Sequence, residues 1–97
     1  MSQFSDFLRQ DQRLVMLRLL AELPGYTSNS SVLVQLLEQF GHVMTRDQVK
    51  TELAWLAEQG LVTTDDAGSV LMAKITERGA DVAAGRARQP GVKRPGA

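Results

Sequence analysis

The sequence contains no cysteine and only one histidine, His42, among its 97 residues. The absence of cysteine excludes disulfide bonds, thiolate metal ligands and cysteine nucleophiles. A single imidazole cannot build a transition-metal site without several carboxylate partners, so we interpret His42 as a helix-end residue beside Gly41. The sequence also has no paired nucleophile and base and no phosphate-binding glycine loop. We therefore predict a protein that has no cofactor, no metal and no enzymatic activity.

Long apolar runs are missing as well, since no stretch approaches the roughly 18 residues of a membrane-spanning helix. The first residues, Met1 to Asp6, lack the basic region that opens an export signal. These features predict a soluble, intracellular protein that has no membrane as a partner. A chain of 97 residues, 43% of them hydrophobic, suits one small domain, and its modest core would gain from contact with a second copy.

Charge is balanced overall, with 11 basic and 11 acidic side chains, but it is unevenly distributed. Residues 86–97 carry four bases and no acid, so the rest of the chain is acidic. An acidic body is not the electrostatic footprint of a strong nucleic-acid binder. Residues 89–97 are also rich in proline and glycine. We predict a domain over residues 1–88, followed by a disordered basic tail over residues 89–97.

Periodicity and capping signals predict a first helix from about Phe4 to Leu23. Ser2 or Ser5 is its candidate cap, and the Pro24-Gly25 pair ends it. The second half of this helix is apolar on nearly every side, which is typical of a helix that is buried all round.

Two further helices are predicted before residue 61. The second begins at Asn29 or at one of the two serines that follow it, and it ends at Gly41. The third begins at a capping box, in which Thr45 accepts from a backbone N–H and Gln48 reaches back to the cap. Gly60 closes this third helix.

From residue 61 onwards the hydrophobic pattern changes from helical spacing to the alternation of a strand. Two β-prone runs, residues 61–64 and 70–75, flank the turn-forming residues 65–69, which predicts a hairpin with a five-residue loop. Thr76 can cap a final helix that is rich in small residues and extends to about Arg88.

Three helices, a hairpin and a final helix follow one another in the order of a winged-helix domain. Residues 49–62 (VKTELAWLAEQGLV) resemble the recognition helix and first wing strand of winged-helix regulators, and residues 76–79 (TERG) resemble the step after the wing. The chain as a whole is similar to small proteins of Mu-like phages and prophages, some of which are labelled ArsR-like regulators; the segments that carry this similarity include residues 24–26 (PGY), 47–49 (DQV), 55–62 (WLAEQGLV) and 91–95 (GVKRP). The resemblance implies a mainly α fold with a small β-hairpin, a winged helix-turn-helix. It also implies a phage or prophage protein in the cytoplasm of a bacterial host cell.

In a helix-turn-helix protein the second helix of the motif enters the major groove of DNA. Here Arg46 suits guanine, Gln48 suits adenine, Thr51 suits a thymine methyl or a phosphate, and Lys50 suits a phosphate. These residue types predict a transcriptional regulator with double-stranded DNA as its partner. The basic residues of the last segment would lie along the phosphates: Arg86, Arg88, Lys93 and Arg94.

The local charge favours a different function. Over residues 45–59 the acids Asp47, Glu52 and Glu58 outnumber the two bases, and Asp65 and Asp66 stand where a wing normally offers a base to DNA. Carboxylates at these positions oppose the approach of phosphate. The alternative is therefore an adaptor that binds a phage or host protein and does not bind DNA.

The small core also bears on assembly. One hypothesis is a homodimer that forms through the first and last helices, and the other is that the remaining helices cover the first helix completely. The candidate dimer contacts on the first helix are Phe4, Phe7, Leu8, Val15 and Leu19.

Trp55 lies off the line of core residues on the third helix. It therefore either packs against the hairpin or the first helix, or anchors a partner.

Overall fold

The computed structural model describes residues 3–96, so the candidate cap Ser2 and the last tail residue lie outside the described residues. Within that range the chain forms four helices and a three-stranded antiparallel sheet, a compact α+β fold. None of these helices has both the length and the apolar character needed to cross a membrane. The helices are α1 (Gln3–Glu22), α2 (Ser30–Gln39), α3 (Arg46–Glu58) and α4 (Glu77–Ala83), and the strands are β1 (Thr27–Asn29), β2 (Val62–Ala67) and β3 (Val70–Ile75).

The starts of α2, α3 and α4 confirm the capping predictions, whereas the candidate cap Ser5 lies inside α1 and does not precede it. The Asn29 side chain accepts a hydrogen bond from the Val32 N–H at the start of α2. At α3, Thr45 accepts from the Gln48 N–H while the Gln48 side chain accepts from the Thr45 N–H, which completes the capping box. Thr76 caps α4. Each cap satisfies a backbone N–H that has no partner within its helix.

The sheet contains a strand that the sequence did not predict. The order is β1-β3-β2, so β1 pairs with β3, which is distant in sequence. The Thr27 hydroxyl donates to the Ala73 carbonyl at 2.9 Å, and the buried Ser30 hydroxyl accepts from the Leu71 N–H at 3.0 Å. The three polar residues of β1 show no hydrophobic alternation that would predict a strand. Only their pairing with β3 makes this segment a strand.

The hairpin is longer and tighter than predicted. Strand β2 continues through Asp65 and Asp66, which pair with Met72 and Leu71 of β3. The loop therefore has two residues, Gly68 and Ser69, rather than five. Gly68 has a φ of 70°, the left-handed conformation that a two-residue hairpin turn requires.

The last helix is shorter than predicted. It ends at Ala83 because Gly85 turns the chain with a φ of 82°, and the Arg86 N–H then bonds back to the Asp81 carbonyl at 2.8 Å. A glycine in this conformation is a common helix stop, and the stop comes about five residues before the expected end at Arg88.

The segment after α4 contradicts the expectation of a disordered tail. Residues 89–96 lie against α1, and Val92 is a core residue with only 7% of its surface exposed. The Lys93 N–H donates to the Gln10 carbonyl at 3.2 Å. Composition suggested disorder because proline and glycine are frequent, but one buried valine and backbone contacts to α1 hold the segment in place.

Gly79 lies where α4 approaches the chain between α3 and β2. A Cβ atom at this position would be 2.8 Å from the Ile75 Cγ1 atom and closer still to the Leu61 carbonyl oxygen. That carbonyl accepts the Thr76 N–H at 3.0 Å, so it cannot move without loss of a hydrogen bond. The approach of α4 to the core therefore requires glycine.

We expect Gly79→Ala to lower the free energy of unfolding by about 2 kcal/mol or more, because overpacking against backbone displaces the helix. Thermal and urea denaturation followed by circular dichroism would measure the loss. The exposed neighbour Glu77 provides a control, since Glu77→Gln should change stability by no more than about 0.5 kcal/mol. Equal stability of the two variants would contradict the close approach.

Candidate macromolecule-binding face

Helix α3 carries an acidic line of exposed side chains, beside the exposed Arg46 and Gln48. Asp47, Thr51, Ala54 and Glu58 are all exposed and follow one another at helical spacing. The line contains two carboxylates and no base. Asp65 and Asp66 on the hairpin are exposed too, but they are consecutive residues of β2, so their side chains point to opposite sides of the sheet. We call the line on α3 together with these two aspartates the acidic face.

The residues predicted to read bases are on α3, but two of them have internal hydrogen bonds. Arg46, Gln48 and Thr51 are exposed. The Gln48 amide oxygen accepts the Thr45 N–H at 2.9 Å within the capping box, and the Thr51 hydroxyl donates to the Asp47 carbonyl at 2.9 Å. These contacts give both side chains a structural role that needs no ligand.

Lys50 joins α3 to the hairpin. Its ammonium group donates to the Ser69 carbonyl in the two-residue turn at 3.2 Å. The base predicted to contact phosphate therefore supports the position of the hairpin relative to α3.

The predicted basic residues of the last segment lie elsewhere. Arg86 pairs with Asp81 at 3.0 Å, and Lys93 lies 3.5 Å from an Asp11 oxygen and 5.3 Å from the Phe7 ring centre. A groove of about 450 Å³ along α1 includes Lys93 among its lining residues, along with Arg88 and Arg94, and none of the predicted α3 contacts lines it. The structure thus places the two groups of predicted contacts on different elements.

Sequence reasoning missed the polar cluster that joins α1, α3 and the last segment. The Arg13 Nε atom donates to Glu52 Oε1 at 2.7 Å, and its Nη1 atom donates to the Gly91 carbonyl at 3.0 Å. Arg9 lies 3.5 Å from the other Glu52 oxygen. The side chains of Arg13 and Glu52 are only 11% and 10% exposed, so their charges are shielded from water.

A signal for this cluster is present in the sequence. Arg9 and Arg13 continue the spacing of Leu17 and Leu20 on α1, and Glu52 shares the buried line of Val49 and Leu56 on α3. A charge on a core line predicts a partner of opposite charge, because a buried charge is stable only when it is paired.

Trp55 has an internal packing role. The Arg13 guanidinium lies 3.8 Å from the centre of its ring system, so the indole packs on the first helix as one of the two hypotheses held. The last segment covers it as well: a Cβ atom at Gly91 would lie 2.7 Å from the indole. This second contact was not expected.

His42 is a contact between the α2–α3 connection and α1. It is buried, and its Nε2 atom lies 2.7 Å from Asp11 Oδ2. The interpretation of His42 as a helix-end residue is consistent with its place after α2, and the structure adds Asp11 as its partner.

The proposed dimer contacts differ in exposure. Phe4 and Phe7 are 70% and 54% exposed. Leu8, Val15 and Leu19 are half-buried. Phe7 lies toward the last segment, below Lys93, whereas Val15 and Leu19 line a groove with Phe40 on another side of α1.

Two relatives are similar to this chain over most of its length. The uncharacterized protein gp26 of Escherichia phage Mu is 45% identical over 91 residues, which cover 94% of each chain. This chain belongs to the same family as gp26 of phage Mu. An uncharacterized protein of Haemophilus influenzae is 45% identical over 76 residues, which cover 77% of this chain and 74% of the Haemophilus protein. These relatives support the resemblance to Mu-like phage and prophage proteins.

No family model matches the chain, and no solved structure matches it. The relationship to gp26 therefore establishes the phage-like family, and the physical features of the surface remain the basis for a functional argument.

The buried cluster yields a stability prediction. Arg13→Met should lower the free energy of unfolding by about 3 kcal/mol, because it leaves Glu52 buried with only the longer contact to Arg9. Arg86→Met removes an exposed ion pair and should cost less than about 1 kcal/mol. Urea denaturation of both variants measures the difference.

A double variant tests the cause. In Arg13→Met with Glu52→Leu, the unpaired carboxylate is absent, so we expect stability to recover by at least half of the single-variant loss. A double variant that is as unstable as the sum of its parts would contradict the pairing argument.

Proposed function

We propose that this protein is a winged-helix adaptor of a Mu-like phage or prophage, which binds a basic segment of a phage or host protein through the acidic face. The element order α1-β1-α2-α3-β2-β3-α4 supports the winged-helix assignment, as does the hairpin that follows α3. The observation that carries the function is that the exposed line of Asp47, Thr51, Ala54 and Glu58 holds two carboxylates and no base, which leaves Arg46 as the one exposed base of α3.

Electrostatics favours a protein partner. The carboxylates of Asp47, Glu58, Asp65 and Asp66 project from α3 and the hairpin, the two elements that would approach DNA. A duplex carries one negative charge per about 1.7 Å of its axis, so this face repels it. The same carboxylates attract a cationic protein segment and favour its rapid association.

The positions of the basic residues support the same proposal. Lys50 is held by the hairpin turn, Lys93 by Asp11, and Arg86 by Asp81. To bind a DNA phosphate, each of these side chains would have to give up its contact within the protein. An adaptor requires no such loss.

Sequence-specific DNA binding is the second candidate, and one observation favours it. Arg46 is exposed at the first residue of α3, the part of a recognition helix that contacts base edges. Arg88 and Arg94 are exposed as well and could contact phosphates. In this candidate the protein is a transcriptional regulator.

Fluorescence anisotropy with an oligolysine peptide tests the adaptor proposal. We expect Asp65→Asn with Asp66→Asn to weaken peptide binding at least about twofold, since each exposed charge contact contributes roughly 0.2–1 kcal/mol. Glu38→Gln with Glu77→Gln removes the same charge from other exposed positions and should leave the affinity nearly unchanged. Equal weakening by both pairs would show that net charge alone attracts the peptide, which contradicts a defined face.

The same assay with a mixed-sequence DNA duplex tests the second candidate. The adaptor proposal predicts no retention of the duplex even at 50 mM salt. Binding that falls steeply with salt and disappears in Arg46→Ala with Lys50→Ala would overturn the adaptor proposal and support DNA recognition.

A further inference from the structure

The exposed side chain of Phe4 projects from the first turn of α1, and we call it the aromatic knob. Phe4 is 70% exposed, and residues 3–7 are all exposed, so this end of the helix extends beyond the core. Large apolar side chains that share an exposed surface mark contact sites. Phe4 is therefore available to a partner.

A groove lies on the other half of the same helix. Its volume is about 220 Å³, and its apolar lining is Val15, Leu19 and Phe40. Arg18 and Glu22 form its polar walls. Phe40 is itself 60% exposed, so the apolar surface continues from α1 onto the end of α2.

The knob and the groove face similar directions. Phe4 and Leu19 are 15 residues apart, which is about 22 Å along a helix and a rotation of about 60° around it. Leu8 lies between them in direction and is half-buried. One side of α1 thus carries a projection near its start and a matching depression near its end.

We propose that a second copy of this chain docks on that side of α1 with its own α1 antiparallel. Two-fold symmetry then places Phe4 of each copy in the groove of the other, so that both knobs and both grooves are used at once. The helices cross near Asp11 and Gln12, and Leu8 of one copy meets Val15 of the other.

The charges allow this crossing. Asp11 would approach its symmetry mate, but its carboxylate already has a counter-charge in its own chain, Lys93 at 3.5 Å, and a hydrogen-bond partner in His42 at 2.7 Å. Arg18 and Glu22 have opposite charges and border the groove, so Phe4 enters between a cation and an anion. No pair of unneutralised like charges is forced together.

The two exposed phenylalanines supply about half of the area that a specific dimer needs. A phenylalanine buries roughly 200 Å² when fully covered, so Phe4 and Phe40 at 70% and 60% exposure offer roughly 250 Å² per copy. Both copies together supply about half of the roughly 1,000 Å² that a specific interface needs. Leu8, Val15 and Leu19 must supply much of the rest.

The dimer contact is separate from the acidic face. It uses α1 and the end of α2, whereas the proposed adaptor contacts lie on α3 and the hairpin. Failure of either proposal therefore leaves the other intact. If both hold, one assembly presents two acidic faces, which raises affinity for a partner that has two basic segments.

Sedimentation equilibrium at concentrations from 1 to about 200 μM tests the association. We expect a monomer–dimer equilibrium of the 10.6 kDa chain, and we expect Phe4→Glu and Phe40→Glu each to raise its dissociation constant at least tenfold. Tyr26→Glu is the matched control, because Tyr26 is 57% exposed, lies away from the groove, and gains the same charge. A monomer at every concentration, or a dimer that is insensitive to both phenylalanine variants, would overturn the proposal.

Cross-linking tests the antiparallel direction, and the chain has no native cysteine to interfere. A short bismaleimide should join two copies of Gln12→Cys, which lies near the two-fold axis. It should not join Glu22→Cys, whose two copies would be about 32 Å apart along the helices. Efficient cross-linking of Glu22→Cys would indicate a parallel pair and would overturn the proposed geometry.

Discussion

The contact on which the rest of the structure depends is the one that Arg13 of α1 makes with two other segments at once. Its guanidinium pairs with Glu52 of α3, donates to the Gly91 carbonyl of the last segment and lies over the Trp55 ring. A planar group with five donors can satisfy several partners at fixed angles, which an ammonium cannot do. Because the charge is shielded from water, each partner must stay in place, and the helices and the last segment are fixed relative to one another.

This cluster has a consequence for the molecular surface. It holds the last segment on α1, and Lys93 in that segment is then occupied by Asp11 and Phe7. Lys93, which would extend into solvent on a free arm, is instead part of the folded domain, whereas Arg88 and Arg94 stay exposed. Lys93 and Arg86 are therefore engaged with carboxylates of their own surroundings, Asp11 and Asp81, and this distribution is the physical basis of the proposed adaptor function.

Periodicity and capping predicted much of the helical framework. The starts of α2, α3 and α4 agree with the structure because a cap is a local hydrogen bond between residues close in sequence. Prediction failed for β1 and for the packed tail. Thr27 and Val92 acquire their places through contacts with β3 and the core, and such contacts leave no local period. The candidate face was predicted only in part: the acids at α3 and the hairpin were evident, but the internal partner of Lys50 was not.

The sequence by itself determined the absence of thiol chemistry, the helix boundaries set by Thr45 and Thr76, and the acidic character of the central segment. Each of these follows from residue identity or from hydrogen bonds within about one helical turn. Only the tertiary structure decided that Arg13 meets Glu52, 39 residues away in the chain, and that Gly91 covers Trp55. Those contacts depend on which faces of distant elements pack together, and burial rather than local propensity selects that arrangement.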